Sequence, residues 1–283
     1  MVSSEQRRRQ LAREKYERQA QRRAEAAIAR KRRNTILGAS LAVVVLAGGG
    51  VLVGTGAFAS DDKKDSSSSA QAAPTQPSAE PTAEPTAPTR KPVEGCGDPA
   101  PGSPNGKQWQ AEPAMSVDTS AAYTATLETN CGKVTLSLDA AKAPHTVNSF
   151  AFLAGENYFD HTKCHRLTTG GIYVLQCGDP TASATAPGGT GGPGYKFADE
   201  NLTGATYPAG TVAMANAGPG TNGSQFFLVY KDTQLPPNYT PFGKITGGLD
   251  VVQKIAAAGT LEGGTDGHPM ADVTFNSVTT AKS

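Results

Sequence analysis

The sequence predicts a mainly β fold, an antiparallel sheet that closes on itself into a barrel with α-helices over its open ends. Three observations carry this. Short runs rich in β-branched and aromatic residues recur through the C-terminal half, only two stretches have helical spacing, and turn residues separate most of them.

The elements follow in order. Lys133 to Leu138 alternates, with Val134, Leu136 and Leu138 on one face and Thr135 and Ser137 on the other. Thr129-Asn130-Cys131-Gly132 is a turn, which makes Tyr123 to Leu127 the partner strand of a hairpin. Pro144 opens a helix whose buried face is Val147, Phe150, Ala151 and Ala154, and Gly155 stops it. Strands are expected at Ile172 to Gln176, Thr211 to Ala215, Gln225 to Tyr230, Phe242 to Ile245 and Val273 to Phe275. A second helix runs from Leu249 to Ala258 with Val252, Ile255 and Ala256 inward, and Gly259 ends it.

The 283 residues divide unevenly around this body, which occupies residues 120–283. Residues 1–35 are strongly basic; the first 33 hold twelve Lys or Arg against four Glu, a net charge of +8. Residues 36–59 then contain no charge and are long enough to cross a bilayer. Basic residues before this run and Asp61-Asp62 after it predict a single-pass helix with the head in the cytoplasm and the body outside the cell membrane. Ala57-Phe58-Ala59 resembles a cleavage site, so a removed signal peptide near Ala59 is the alternative; both export the body. Residues 60–95 are Ser- and Pro-rich, lack large apolar groups and read as a disordered linker. Residues 96–119 are a loop-rich lead-in that Cys96 and Trp109 are expected to pin to the body.

Charge and motifs exclude several function classes. From Cys96 onward there are ten basic and fifteen acidic residues, a net −5, which argues against nucleic acid as a partner. No G-x-S-x-G, P-loop or H-E-x-x-H is present, and no cofactor is expected. His161, Cys164 and His165 invite a metal reading, but a four-residue spacing converges only on a helix, and this segment reads as a turn entering a strand. No metal is expected. One count points to chemistry: after Arg90 the chain has ten lysines and a single arginine, Arg166. A chain that charges its surface with lysine and keeps one planar guanidinium uses that fork for a specific contact, functional or structural.

The residues around Arg166 resemble a known family. Cys164-His165-Arg166-Leu167, followed by Gln176-Cys177-Gly178-Asp179, is similar to the F-H-R … Q-G-G-D signature of cyclophilins. Met214-Ala215-Asn216-Ala217-Gly218-Pro219 and Thr221-Asn222-Gly223-Ser224-Gln225-Phe226-Phe227 resemble the family's M-A-N-A-G-x-x-T-N-G-S-Q-F-F. The opening of the first helix and Phe197 to Asn201 are similar as well. The resemblance implies an eight-stranded closed antiparallel barrel with two helices. It also implies peptidyl-prolyl cis/trans isomerase activity on proline-containing peptides and exported unfolded proteins. The alternative is a catalytically weak proline-peptide binding module or holdase at the cell surface.

By the same resemblance Arg166 is catalytic and Gln176 holds it. Ala215, Asn216, Ala217 and Gln225 line the peptide groove, and Phe227 floors the proline pocket. Tyr173 and Val174 form its wall. Leu235 and Tyr239 stand where many members carry tryptophan and histidine. Phe226, pointing the other way along its strand, is expected in the core. The four cysteines lie in the exported part, an oxidising setting in which they can pair in three ways. Cys164 and Cys177 flank the arginine hairpin and are expected to face each other across it, leaving Cys96 to tie the lead-in to Cys131; four buried thiols are the alternative.

Overall fold

The computed structural model describes residues 88–183 and 187–283. The basic head, the apolar run at 36–59 and most of the linker lie outside these residues. Among the described residues no helix is long and apolar enough to cross a membrane.

Among the described residues nine strands form one antiparallel sheet. In chain order they are β1 (Tyr123–Thr129), β2 (Gly132–Leu138), β3 (Arg166–Thr168), β4 (Val174–Cys177), β5 (Thr211–Met214), β6 (Phe226–Val229), β7 (Pro241–Gly247), β8 (Asp266–Gly267) and β9 (Phe275–Lys282). Their order across the sheet is β8-β3-β4-β6-β5-β7-β2-β1-β9. The expected hairpin is present, with Leu127 opposite Val134 and Thr129 opposite Gly132.

Where eight strands were expected, the described residues form nine in a curled sheet, and no continuous ladder among them joins its two ends. They are linked through the segment before β3, where Lys163 forms isolated bridges to both Asp179 and Thr274. Beside it the Cys164 amide donates to the Val273 carbonyl at 2.9 Å, and the His165 amide to the Gln176 carbonyl at 3.0 Å. The strand expected after the His161–His165 turn is β3, only three residues long, whereas two-residue β8 escaped the sequence reading because it is too short to show a period. β9 was placed too early. Only Phe275 and Val278 are buried in it, three apart across a register shift against β1, and burial then fades where it lies exposed at the sheet edge.

Among the described residues there are two helices, α1 (Pro144–Gly155), which packs on β9, and α2 (Leu249–Ala257), which packs on β2. Ala143 has no side chain to cap α1, so the cap comes from a distant residue. The Glu200 carboxylate accepts from the His145 amide at 3.1 Å and the Thr146 amide at 2.8 Å, placing a negative charge on the helix N-terminus. Ala151 is only half-buried, and Thr146, Asn148 and Ser149 are buried in its stead. Before α2, Gly248 has φ 80°, and a Cβ there would stand 2.2 Å from the Lys133 carbonyl oxygen, so no other residue fits that turn.

The core fills the curl of the sheet. Phe226 is fully buried, its ring 5.5 Å from Phe150, 5.8 Å from Phe159 and 6.1 Å from Phe275. The lead-in wraps the outside as a belt. Disulfides join Cys96 to Cys131 and Cys164 to Cys177. Trp109 sits with its ring 5.1 Å from Phe152 and 5.7 Å from Tyr158. Packing begins earlier than residue 96, since the Arg90 guanidinium donates to the Pro269 carbonyl at 2.6 Å. The stretch 88–95 is therefore bound to the body and is not part of a free linker.

Candidate active site

Register builds the site. Arg166 on β3 is opposite Gln176 on β4, Gln176 is opposite Phe227 on β6, and Phe227 is opposite Ala213 on β5. Residues directly opposite in an antiparallel pair share a face and touch. One row across four strands thus sets a guanidinium, a carboxamide, a phenyl ring and a methyl group side by side on the outer face. One pleat away, Val174 is opposite Val229 and adds an aliphatic wall.

Around Phe227 a second apolar cluster forms, separate from the main core. Val174, Tyr207, Ala213, Phe227 and Val229 are buried in it, and Ala215, Leu235 and Tyr239 pack against it half-exposed. The Tyr239 ring meets Phe227 edge-on at 5.5 Å, and Tyr207 lies 6.4 Å from Phe227. Tyr207 had not been singled out in the sequence. Its hydroxyl donates to the Tyr239 carbonyl at 2.8 Å and accepts from the Tyr239 amide at 3.2 Å, which fixes the loop carrying Leu235 and Tyr239.

Polar groups run beside the pocket as a connected chain. Asp266 accepts from Arg166 Nε at 2.8 Å and from Nη2 at 2.7 Å. Arg166 Nη1 donates to Gln176 Oε1 at 3.2 Å, Gln176 Nε2 to Gln225 Oε1 at 2.9 Å, and Gln225 Nε2 to the Gly191 carbonyl at 2.8 Å. A guanidinium has five N–H groups. Three are engaged by Asp266 and Gln176, so one on each Nη has no partner among the described residues. The Asp266 hydrogen bonds raise the Arg166 pKa further above its already high ordinary value.

Asp179 braces the far side. Burial pushes its carboxyl up, but hydrogen bonds from Thr181 and the Gly191 amide outweigh this, and the net shift is downward. His165, between Cys164 and Arg166, is buried, and neither ring nitrogen has a partner among the described residues. Burial lowers its pKa and keeps it neutral. No cluster of three or more His, Cys, Asp or Glu is arranged for a metal among the described residues.

Most of the expected residues meet here: Arg166, Gln176, Val174, Gln225, Phe227, Ala215, Leu235 and Tyr239. Asn216 and Ala217 line the adjoining groove as expected, and one residue needs correction. Tyr173 does not line the pocket. The pleat that puts Val174 on the outer face turns Tyr173 away, against Tyr230 at 6.0 Å, with Lys231 Nζ 4.5 Å over its ring. Asn216 lines the groove, but its side-chain amide donates to the Asn238 carbonyl at 2.8 Å. What it offers a ligand is its backbone. Ala217 beyond it is exposed and lines the same groove. Asp266 was missed altogether, since a carboxylate in a glycine-rich loop carries no signal of the arginine 100 positions earlier.

Comparison with known proteins agrees with this geometry. The family described as cyclophilin type peptidyl-prolyl cis-trans isomerase/CLD matches residues 124–280. A probable peptidyl-prolyl cis-trans isomerase B of Mycobacterium leprae is 52% identical over 172 residues, which are 56% of this chain and 57% of that protein. The chain therefore spans little more than half the length of that relative. Peptidyl-prolyl cis-trans isomerase B of Streptomyces anulatus is 44% identical over 54% of this chain and 94% of its own. The crystal structure of a Cryptosporidium parvum cyclophilin type isomerase superposes with a TM-score of 0.50 at 26% identity, covering 57% of this chain and 99% of that one. With the family matched over more than half of its length and its motifs assembled into one groove, this chain belongs to the cyclophilin-type peptidyl-prolyl isomerases.

Proposed function

We propose that this chain catalyses cis/trans isomerisation of X–Pro peptide bonds in exported, unfolded proteins, with Arg166 as the catalytic residue. The observation that carries the reading is the pair of unclaimed Arg166 N–H groups beside an apolar pocket floored by Phe227. An X–Pro amide resists rotation because its partial double bond costs about 18–20 kcal/mol to twist. Twisting breaks conjugation and returns a lone pair to the prolyl nitrogen. An N–H directed at that nitrogen or the preceding carbonyl favours the twisted amide over the planar one. The pocket of Phe227, Val174, Leu235 and Tyr239 holds the ring still while the chain on the other side turns. Gln225 and the Asn216 backbone grip that chain.

No covalent bond breaks, so positioning and electrostatics suffice; about 10⁴–10⁵-fold acceleration corresponds to about 5.4–6.8 kcal/mol. The isomerase names of its relatives support the activity. The bridges at Lys163 support reading the curled sheet as a closed barrel.

The charge-free run at 36–59, preceded by a basic head, supports a single-pass anchor with the body on the outer side of the cell membrane. Two disulfides suit an oxidising compartment. A protease-coupled isomerisation assay on a proline peptide, run with the full-length chain and with Arg166→Ala, tests the proposal. Absence of activity in the wild-type chain together with retained peptide binding would replace the enzyme by a holdase.

A further inference from the structure

The hydrogen-bonded chain that starts at Asp266 does not stop at the groove. Gln225 reaches the Gly191 carbonyl, and at the next residue the Gly192 carbonyl accepts from Nε2 of Gln108, in the lead-in, at 2.7 Å. We propose that Gln108 is a specificity-determining residue of the peptide site. It reads a neutral, hydrogen-bond-donating side chain on a substrate residue that flanks the X–Pro pair. The inference rests on the isomerase reading of the groove.

A cavity of about 520 Å³ adjoins the site and shares Gln176, Asn216 and Gln225 with it; Gln108 and the 189–194 loop form the opposite wall. A peptide that places its proline beside Phe227 extends into this space with a neighbouring residue. Gln108 belongs to a segment outside the family match, which begins at residue 124, so its part of this wall is an addition to the family domain.

The side chain is exposed yet held. Nε2 also donates to the Lys107 carbonyl at 3.1 Å, and the Trp109 amide donates to the Pro193 carbonyl at 2.8 Å. Behind it, Asn105 Nδ2 donates to the Glu156 and Asn157 carbonyls at 3.0 Å each, and the Cys96–Cys131 disulfide anchors the belt. Gly194 leaves the room: a Cβ there would stand 2.5 Å from the Trp109 carbonyl oxygen and 3.1 Å from Gln108 Oε1.

The chemistry of the preference follows from which end of the amide is occupied. Both hydrogens of Nε2 go to backbone carbonyls, so Gln108 presents Oε1, an acceptor, and calls for a donor. Exposed Lys196 also lines the cavity and disfavours a cation. Asparagine, glutamine and serine meet both conditions.

The test compares full-length wild type, Gln108→Ala and Gln108→Glu on proline peptides that differ only in the flanking residue: alanine, asparagine or lysine. Wild type should prefer asparagine to alanine. In Gln108→Ala the asparagine-to-alanine ratio of kcat/KM should fall about three- to tenfold, the value of one such hydrogen bond. Gln108→Glu should move the preference toward lysine. A wild type without preference overturns the proposal. So do ratios that stay fixed in both variants, whether the rates hold or fall together, because Gln108 would then be only a clamp on the 191–194 loop. A wild type that isomerises none of the peptides removes the enzyme reading instead; peptide affinities by fluorescence anisotropy on the same series then decide the role of Gln108 by itself.

Discussion

Asp266 grips Arg166 with both carboxylate oxygens, at 2.8 and 2.7 Å, and lies on the strand that edges the sheet beside it. The two side chains are 39% and 55% exposed, which makes this a surface pair worth about 0–1 kcal/mol to folding. Its value lies in geometry, since a guanidinium held by one edge must present the other. Asp266→Asn should lower kcat/KM about three- to thirtyfold and leave the melting temperature within about 3 °C of wild type. A large fall in melting temperature with unchanged turnover would make the pair structural.

Arg166→Ala should lower kcat/KM by about one to three orders of magnitude, or about 1.4–4 kcal/mol of transition-state stabilisation. The fold should survive, because the core residues lie on the opposite face of β3, β4 and β6. Arg166→Lys should recover only part of the activity, as an ammonium cannot hold Asp266 and Gln176 while still facing the amide. Thermal unfolding measured beside kinetics on both variants checks this. Wild-type turnover in a folded Arg166→Ala chain would end the proposed mechanism.

Stability should fall in two stages on acidification. Burial lowers the His165 pKa from its ordinary 6.5, so the unfolded chain binds that proton first. The contribution of neutral His165 is complete above 6.5 and is lost as pH falls through the folded-state value. Asp266, lowered by the Arg166 hydrogen bond, and Asp179, lowered by its hydrogen bonds against burial, start from 3.8 and act below about pH 4. Melting temperatures from pH 8 to 3 should show a plateau, a decline below about 6.5 and a further decline below about 4. His165→Gln should remove the first decline; an unchanged profile would mean that another group causes it.

The Cys164–Cys177 disulfide closes a 13-residue separation that contains both Arg166 and Gln176. Replacing both cysteines by alanine should cost about 2–3 kcal/mol of stability. Turnover should also fall severalfold, because the same link fixes where β3 meets β4. Urea denaturation and isomerase kinetics on the double variant measure the two effects separately.

For the anchor, full-length chain should fractionate with membranes, with the body open to protease added outside intact cells. Recovery of a soluble mature chain beginning at Ser60 would support cleavage and remove the single-pass reading.

The elements legible in the sequence were those whose residues signal locally. Alternation gave the β1–β2 hairpin, and Pro144 with Gly155 bracketed α1. The single arginine marked the centre of the site, and the ordered motifs supplied its neighbours. Information that depends on register was not legible. Tyr173 and Val174 were both expected in the pocket wall, but neighbours on a strand face opposite ways, and only the register decides that Val174 is the one that faces the pocket. Asp266, Tyr207 and Gln108 act through partners 100, 32 and 84 positions away. Nothing in their own neighbourhoods records those partners. The Glu200 cap on α1 is similar: the helix start was visible in Pro144, but its acceptor was not.

The pairing of β1 with β9 has a consequence for how the chain is made. Tyr123 is opposite Lys282, so β1 waits for a partner that lies 159 positions later in the chain before its outer edge is satisfied. Until then the β1–β2 hairpin offers a row of free amides and carbonyls, with Leu127, Val134 and Leu136 uncovered on one face. Contacts of such long sequence separation also make folding slow once synthesis ends. During that interval the nascent chain is an unfolded protein with an open strand edge, itself in need of protection from aggregation.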